Sequence, residues 1–180
     1  MELFDVLDAY GNFTGETIDR DTAHKNGAWH RAVALYIMND KNQVLMQKRS
    51  KHKKTWPGCW DFACGGHVEA GELALGAVIS EALEEIGIEL KPSDVRYMCG
   101  YLSDNKHGTM WDRHINEYFV AFKNINIGDI KLQESEVDEI KWVDFAEFKR
   151  IVQNREADKI TSKWEAHDAL IRYFDRYGRN

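Results

Sequence analysis

The stretch GGHVEAGELALGAVISEALEEIGI, residues 65–88, decides how the chain is interpreted. Its second half has helical hydrophobic spacing over residues 73–86, and Gly87 follows as a residue suited to end a helix. Its first half is a glycine-bracketed loop between Gly66 and Gly71. Because glycine lacks a Cβ, this loop can bring backbone carbonyls close to a bound ion. The stretch therefore predicts a tight loop that leads directly into a helix.

Glu81, Glu84 and Glu85 stand at positions i, i+3 and i+4 of this helix, so they share one face. Like charges this close repel each other, and a divalent cation with oxygen ligands would offset the repulsion. A solvated acidic face is the alternative interpretation of such a cluster. On the opposite face we expect core contacts, and small residues should leave space beside the acids. The expected core residues are Leu75, Ile79, Ala82, Leu83 and Ile86, and the expected small neighbours are Ala74, Ala77 and Val78.

The spacing Gly66-x5-Glu72-x7-Ser80-Glu81-Ala82-x-Glu84-Glu85-x-Gly87-Ile88 resembles the Nudix box, Gx5Ex7REUxEExGU. One fixed position differs, because Ser80 stands where the family has arginine. The resemblance implies an α/β fold, a Nudix-type α/β/α sandwich with a mixed central sheet. The order of elements extends this likeness to most of the chain. We therefore expect a single domain over residues 1–180, with an N-terminal hairpin extension at 1–29 and the box at 66–88.

The resemblance implies metal-dependent hydrolysis of a diphosphate linkage in a nucleoside-diphosphate-linked small molecule. Carried over by position, Glu81, Glu84 and Glu85 would bind Mg²⁺ or Mn²⁺, together with the carbonyl of Gly66. A box glutamate, or an acid from a later loop, would act as the base. Ser80 carries no charge, so we expect a less rigid metal site, unless a base such as Arg113 or Lys106 compensates.

The basic stretch at residues 47–58 resembles the branch of the family that includes isopentenyl-diphosphate isomerase and its hydrolase relatives. In that branch, residues at positions like Arg49 and Lys53 contact the diphosphate. Guanidinium and ammonium groups suit this contact, although a solvated basic loop is the alternative. His30 and His67 match histidine ligands of the isomerase metal site, and His24 is a third candidate. His67 is therefore expected to bind metal or substrate phosphate.

Two departures argue against isomerase chemistry. Gly65 occupies the position of the isomerase's catalytic cysteine, and Cys64 lies one residue earlier, where a strand side chain points to the other face. Of two late metal-binding glutamates, only Glu117 appears in this chain, with Ile115 at the other position. We expect Glu117 to point towards the metal site and to belong with the catalytic residues.

Composition limits the other function classes. The 180 residues are 43% hydrophobic and 30% charged, with a net charge of −6, which argues against a dedicated nucleic-acid or membrane binder. No apolar run could span a bilayer, and the acid at position 2 does not fit a signal peptide. Three cysteines without a pairing motif favour reduced thiols and a cytoplasmic location. A homodimer is compatible with the sequence.

Strand patterns both precede and follow the central helix. We expect an N-terminal hairpin over residues 3–18, strands at 30–38, 43–49, 61–64, 95–103, 114–122 and 139–144, and helices at 73–86, 145–153 and 162–177. The loop at residues 104–113 is expected to carry substrate specificity. Two alternatives to the hydrolase remain open: an isomerase acting on a prenyl diphosphate, and a non-catalytic Nudix-fold ligand-binding protein.

Overall fold

A computed structural model describes residues 2–177 of the chain. The strands are β1 Leu3–Leu7, β2 Phe13–Asp19, β3 His30–Met38, β4 Gln43–Arg49, β5 Trp60–Asp61, β6 Cys64–His67, β7 Val95–His107, β8 Met110–Phe122 and β9 Val137–Asp144. The α-helices are α1 Arg20–Asn26, α2 Ala74–Ile86, α3 Phe145–Gln153 and α4 Trp164–Tyr177. None of the helices in residues 2–177 is long and apolar enough to cross a membrane.

A seven-stranded sheet forms the centre of the protein, and it is mixed, as the sequence predicted. Its core strand, β3, pairs antiparallel with β4 and β6 and parallel with β8. Nearly every residue of β3 is buried, which is typical of a strand covered on both faces. The two remaining strands, β1 and β2, form a separate antiparallel pair.

Helices cover both faces of this sheet. Leu35 and Ile37 of β3 lie in the core together with Val78 of α2. Tyr36 and Met38, which alternate with them along the strand, lie in a second core formed with α3 and α4. The α/β/α layering expected from the sequence is therefore present, and each side chain of β3 can be assigned to a face.

The packing of α2 differs from the sequence expectation. Ala77 and Val78 were expected to leave space beside the acids, yet they are buried in the core, and Glu85 is buried on the same helix. Leu83, expected to be a core residue, is 52% exposed. The helix face that carries Glu81 and Glu85 packs against β6, so the acids and the core residues lie on the same side of α2.

Three further differences come from strand pairing. Residues 60–67 form two short strands, β5 and β6, rather than one over 61–64, and the start of the glycine segment lies in β6. β7 and β8 continue pairing to His107 and Met110, so most of the predicted loop at 104–113 is a hairpin. The structure also contains α1, which the sequence analysis did not predict.

A fully buried carboxylate links the start of α4 to the sheet. Asp61 of β5 accepts hydrogen bonds from Lys163 Nζ at 2.8 Å and Thr161 Oγ1 at 2.8 Å. Arg49 Nη1 lies 3.5 Å from the same carboxylate. Burial raises the pKa of Asp61, but the two cations outweigh this effect and hold the pKa below its ordinary value. The carboxylate therefore stays ionised and tied to both basic groups.

Candidate functional site

β6 brings the backbone of Gly66 against the carboxylate of Glu81. Gly66 pairs with Val33 of β3, and its missing side chain would point towards α2. A Cβ at position 66 would overlap the Glu81 carboxylate. Only glycine therefore allows this carboxylate to approach the strand so closely. The sequence predicted both residues as metal ligands, and the fold places them side by side.

Glu85 lies one turn after Glu81 and is only 5% exposed. Its Oε2 accepts hydrogen bonds from Gly65 N at 3.2 Å and Gln47 Nε2 at 3.3 Å. Burial raises the pKa of Glu85 to about 7, although the Gly65 amide and the positive charge of Lys53 both lower it. A buried carboxylate of this kind needs a proton or a cation.

Burial raises the pKa of Glu81 to about 8, and the negative charges of Glu85 and Glu84 raise it further in the same direction. Glu84 itself is exposed at the surface of α2. The cluster thus offers carboxylate oxygens that destabilise each other when all are ionised. A hard divalent cation fits this set, because its charge relieves the repulsion and its preferred ligands are oxygens.

Glu117 lies on the same side of the sheet as α2 but outside this cluster. It pairs in register with Val33, so β3 separates it from Gly66 by two strand spacings, about 10 Å. Burial raises its pKa, while Arg31, at 4.0 Å, acts in the opposite direction. Glu117 therefore lies on the α2 side of the sheet but apart from the Glu81–Glu85 pair.

The two predicted diphosphate-binding bases have different surroundings. Arg49 donates from Nε and Nη2 to the carbonyl of Thr55, at 3.2 and 3.1 Å, and thereby folds the basic loop onto itself. Lys53 forms an ion pair with Glu136 and lowers the pKa of Glu85. Of the two, Lys53 is the one whose charge acts on the box glutamates.

Sequence reasoning missed two charged neighbours of the box. The negative charge of Glu136 raises the pKa of both Glu81 and Glu85; this residue belongs to the acidic run at residues 134–139, which the sequence analysis did not include among the site residues. Arg31 Nη2 donates to the carbonyl of Glu72 at 2.6 Å, at the entrance of α2. The acidic run could have indicated Glu136 as a neighbour of the box, whereas nothing in the sequence around Arg31 indicated its contact with α2.

The suggested substitutes for the missing box arginine lie elsewhere. Arg113 donates to Asp104 Oδ1 at 2.9 Å and to the carbonyl of Gly27 at 3.3 Å. Lys106 stacks over the ring of Trp111, with Nζ 4.6 Å from the ring centroid. Neither base contacts the box, and that suggestion was wrong.

A second cluster consists of histidines. One ring nitrogen from each of His24, His30, His67 and His114 lies within 4.8 Å of the corresponding nitrogens of the other three. Burial lowers the pKa of His30 to about 4 and also lowers the pKa values of His67 and His114. The rings of His30, His67 and His114 are therefore neutral near pH 7. The sequence analysis named the first three but not His114.

The histidine cluster and the box glutamates lie on opposite faces of the sheet. His30 alternates with Arg31 and Val33 along β3, and it shares its face with Ala34 and Tyr36. Cys64 points the other way, into the core beneath α2, where burial raises the pKa of its thiol well above the ordinary value. The thiol thus lies on the wrong face to act beside the histidines.

A mixed sheet lies between helical layers, and the strand β6, which contains Gly65 and Gly66, leads through a loop into the acidic helix α2. This arrangement is typical of the Nudix class. The family model described as NUDIX domain matches residues 28–164, and the chain belongs to this family. It is 31% identical over 143 residues to an uncharacterized Nudix hydrolase of Listeria monocytogenes, covering 79% of this chain and 80% of that protein. It is 30% identical over 143 residues to isopentenyl-diphosphate Delta-isomerase of Escherichia coli, covering 78% and 76%.

Two further comparisons extend over most of the chain. Nudix hydrolase 3 of Arabidopsis thaliana is 30% identical over 160 residues, which cover 86% of this chain but only 21% of that longer protein. The crystal structure of a Deinococcus radiodurans protein superposes with a TM-score of 0.71, covering 96% of this chain and 99% of that one, at 17% identity. This structural likeness supports the Nudix-type sandwich.

Proposed function

We propose that the protein hydrolyses a diphosphate linkage in a nucleoside-diphosphate-linked small molecule. The observation that carries the proposal is the convergence of Gly66, Glu81 and Glu85, where the backbone approaches closely and one buried and one partly buried carboxylate repel each other, which makes an oxygen-rich cation site. An acidic site of this kind attracts an anionic diphosphate only when a cation is held there.

The residues proposed to bind the metal are Glu81, Glu84, Glu85 and the carbonyl of Gly66. The metal, Mg²⁺ or Mn²⁺, would neutralise phosphate charge and activate water. A structural neighbour from Francisella tularensis is described as a complex with AMP and a Mn ion. Because the donors are all oxygens, both ions suit the chemistry of the set.

The proposed substrate contacts lie beside the box. Lys53 supplies a positive charge close enough to lower the pKa of Glu85, and we propose that it binds a substrate phosphate. Arg49 would join it after exchanging its contact with the Thr55 carbonyl for a phosphate oxygen. The NUDIX domain of Shewanella oneidensis NrtR is described in complex with ADP ribose, which belongs to the proposed substrate class.

Several acids are candidates for the base. Glu136 lies on the segment before β9, forms an ion pair with Lys53 and raises the pKa of both Glu81 and Glu85, so it is the later-loop acid best placed for this role. Glu117 is proposed to assist from its position beside Arg31. His67 lies in the histidine cluster on the other face, and this favours a metal role for it over phosphate binding. A cytoplasmic location and a homodimer remain predictions.

The proposal is tested by incubating the protein and Mg²⁺ or Mn²⁺ with nucleoside diphosphates and triphosphates, sugar nucleotides and isopentenyl diphosphate, and measuring the products. Glu85→Gln should abolish hydrolysis of the diphosphate linkage, whereas Glu89→Gln, an exposed acid just beyond α2, should leave it unchanged. Hydrolysis that survives Glu85→Gln would contradict the proposal. So would allylic isomerisation of the prenyl substrate without hydrolysis, or saturable nucleotide binding without turnover.

A further inference from the structure

Lys163 immediately precedes α4, at a position for which the sequence predicted no role. Its backbone carbonyl accepts hydrogen bonds from Ala166 N and His167 N, both at 3.1 Å, so Lys163 begins the helical hydrogen bonding. Just before it, Thr161 donates its backbone N–H to the carbonyl of Trp60 at 2.8 Å. The segment that leads into α4 is therefore joined to β5, and the sheet sets the position of Lys163.

The side chain of Lys163 belongs to a buried ionic group with Asp61 and Arg49. Lys163 Nζ donates to Asp61 Oδ2 at 2.8 Å, and Arg49 Nη1 lies 3.5 Å from the same oxygen. The side chain of Asp61 is 0% exposed, and those of Arg49 and Lys163 are 12% and 22% exposed. In the described part of the chain, Asp61 is the only carboxylate within ion-pair distance of either cation. Two cations thus share one negative charge.

The surplus positive charge has no counter-charge inside this group. Arg49 directs Nε and Nη2 to the neutral carbonyl of Thr55, at 3.2 and 3.1 Å. The other described contacts of Lys163 are with aromatic rings, because Nζ lies 4.0 Å from the ring centroid of Phe62 and 5.5 Å from that of Trp56. A cation held largely away from water without a full counter-charge is costly. An anion that binds beside the group removes this cost.

The ring of Phe62 connects Lys163 to the box. The ring that carries Lys163 Nζ also lies 2.9 Å from the position that a Cβ would take at Gly65. Gly65 N in turn donates to Glu85 Oε2 at 3.2 Å. The contacts therefore run without a break from the ammonium group to a carboxylate of the proposed metal site.

A second connection runs through the sheet. Asp61 pairs in register with Gln47 of β4, and Gln47 Nε2 donates to Glu85 Oε2 at 3.3 Å. Burial lowers the pKa of Lys163, whereas the negative charges of Asp61 and Glu85 act in the opposite direction. Within residues 2–177, neither Lys163 nor Arg49 forms an ion pair with a proposed metal ligand. Both cations are therefore available to a substrate that is bound beside the metal.

We propose that Lys163 is a substrate-binding residue and that, together with Arg49, it holds the phosphate of the substrate that is not bound to the metal. The inference rests on the proposed function, because it divides the two phosphates of a diphosphate between the metal at Glu81 and Glu85 and the cations before α4. A guanidinium and an ammonium suit a phosphate, since they offer a forked pair of donors and a point charge. The resemblance to the isomerase branch concerns Arg49 and Lys53, and it assigns no role to Lys163.

The buried carboxylate prepares both cations for this role. Asp61 fixes Lys163 Nζ with one hydrogen bond and leaves the other ammonium protons for a ligand. Arg49 keeps Nη1 near Asp61 while Nε and Nη2 exchange the carbonyl of Thr55 for phosphate oxygens. Because the donors are held in place before the substrate arrives, less conformational entropy is lost on binding.

The first test measures binding without turnover. Methylenediphosphonate, whose P–C–P bridge is not hydrolysed, and methylphosphonate are titrated by calorimetry into the protein in the presence of Mg²⁺. The wild type should bind the diphosphonate more tightly, because only this probe supplies a second anionic group. Lys163→Gln can still donate to Asp61 but lacks the charge, so it should bind the diphosphonate about tenfold or more weakly and the monophosphonate almost as before.

Three results would overturn the inference. One is a wild type that does not distinguish the two probes, and this measurement requires no variant to fold. The second is an unchanged affinity of Lys163→Gln for the diphosphonate. The third is an equal loss of affinity for both probes, because a loss that is not specific to the second phosphate indicates a purely structural role for Lys163.

Two variants control for charge and for position. Lys159→Gln removes an exposed lysine of the same segment, whose partner is Glu156, and should bind both probes like the wild type. Lys163→Arg keeps the positive charge and should retain most of the preference for the diphosphonate. If Lys163→Gln does not fold, Asp61→Asn/Lys163→Gln removes the cation and its counter-charge together, and the same loss is expected.

Kinetics separate this inference from the proposed function. With a hydrolysed substrate, Lys163→Gln should raise KM by about tenfold or more with a smaller effect on kcat, and an unchanged KM would contradict the inference. If the wild type hydrolyses none of the substrates but prefers the diphosphonate, and Lys163→Gln loses this preference, only the proposed function fails.

Discussion

Replacing Gly66 by alanine tests the geometry of the proposed box site. A Cβ at this position would overlap the Glu81 carboxylate, and no other heavy atom is as close. The obstructing atoms are the far end of a flexible side chain, so Glu81 can rotate away. The substitution therefore removes a proposed ligand by displacement while Glu81 itself is still present.

The structure predicts different effects on stability and on metal binding. Moving Glu81 to another rotamer costs about 1 kcal/mol, and replacing glycine in a strand recovers about 0.5–1 kcal/mol. The free energy of unfolding should therefore change by less than about 1 kcal/mol. Losing one carboxylate ligand should weaken the apparent Mg²⁺ affinity by about tenfold or more, or about 1.4 kcal/mol.

Two neighbouring glycines provide matched controls. At Gly65 a Cβ would lie 2.5 Å from the carbonyl oxygen of Val33 and 2.9 Å from Phe62, so Gly65→Ala should destabilise the fold by about 1–3 kcal/mol. Gly76→Ala on the exposed side of α2 meets nothing closer than 3.4 Å, so it should raise the free energy of unfolding by about 0.5–1 kcal/mol, because alanine favours a helix, and leave the Mg²⁺ affinity unchanged.

The assay combines urea unfolding with the Mg²⁺ dependence of hydrolysis for all three variants. We expect Gly66→Ala to unfold like the wild type and to need about tenfold more Mg²⁺ for half-maximal turnover. An unchanged Mg²⁺ dependence in Gly66→Ala would refute the assignment of Glu81 as a metal ligand in its position against Gly66.

Three other substitutions have defined outcomes. Asp61→Asn leaves Lys163 and Arg49 without their buried counter-charge and should lower the free energy of unfolding in urea by about 3 kcal/mol; a loss below about 1 kcal/mol would contradict this. Burial lowers the pKa of His167 to about 4, below its ordinary 6.5, so the unfolded chain binds more protons and stability falls as pH drops from 6.5 to 4. In urea unfolding at pH 7 and pH 4.5, His167→Gln should remove about 2–3 kcal/mol of that fall, and an unchanged pH dependence would argue against a neutral, buried ring. Ser80→Arg should raise the affinity for Mg²⁺ or the turnover rate; if both stay the same, the missing box arginine does not weaken the site.

The short-range features of the protein were predictable from its sequence. The acidic helix, its glycine C-cap and the strands over residues 30–38 and 43–49 follow from hydrophobic spacing and turn residues. These signals act between neighbours along the chain. The Nudix assignment rests on the same kind of local information, because the box has fixed positions within one short segment.

Other features depended on contacts between distant segments. His114 joins the histidine cluster because β8 pairs in parallel with β3 and places His114 opposite His30. Nothing in the sequence around either histidine indicates this register. Glu136 reaches the box because its segment leads into β9, which pairs with β4. Strand register is a property of the assembled sheet, so local patterns cannot specify it.

The glutamates on α2 combine one feature that local sequence predicts with another that depends on tertiary packing. Helical periodicity alone placed Glu81, Glu84 and Glu85 on one face, but it could not tell how that face would pack. The tertiary structure buries Glu85, leaves Glu84 exposed and brings Glu81 against Gly66. The sequence by itself determined the family, the α/β class and the acidic helix. Only the tertiary structure decided which acids are desolvated and which histidines meet, because burial and register arise when the layers pack together.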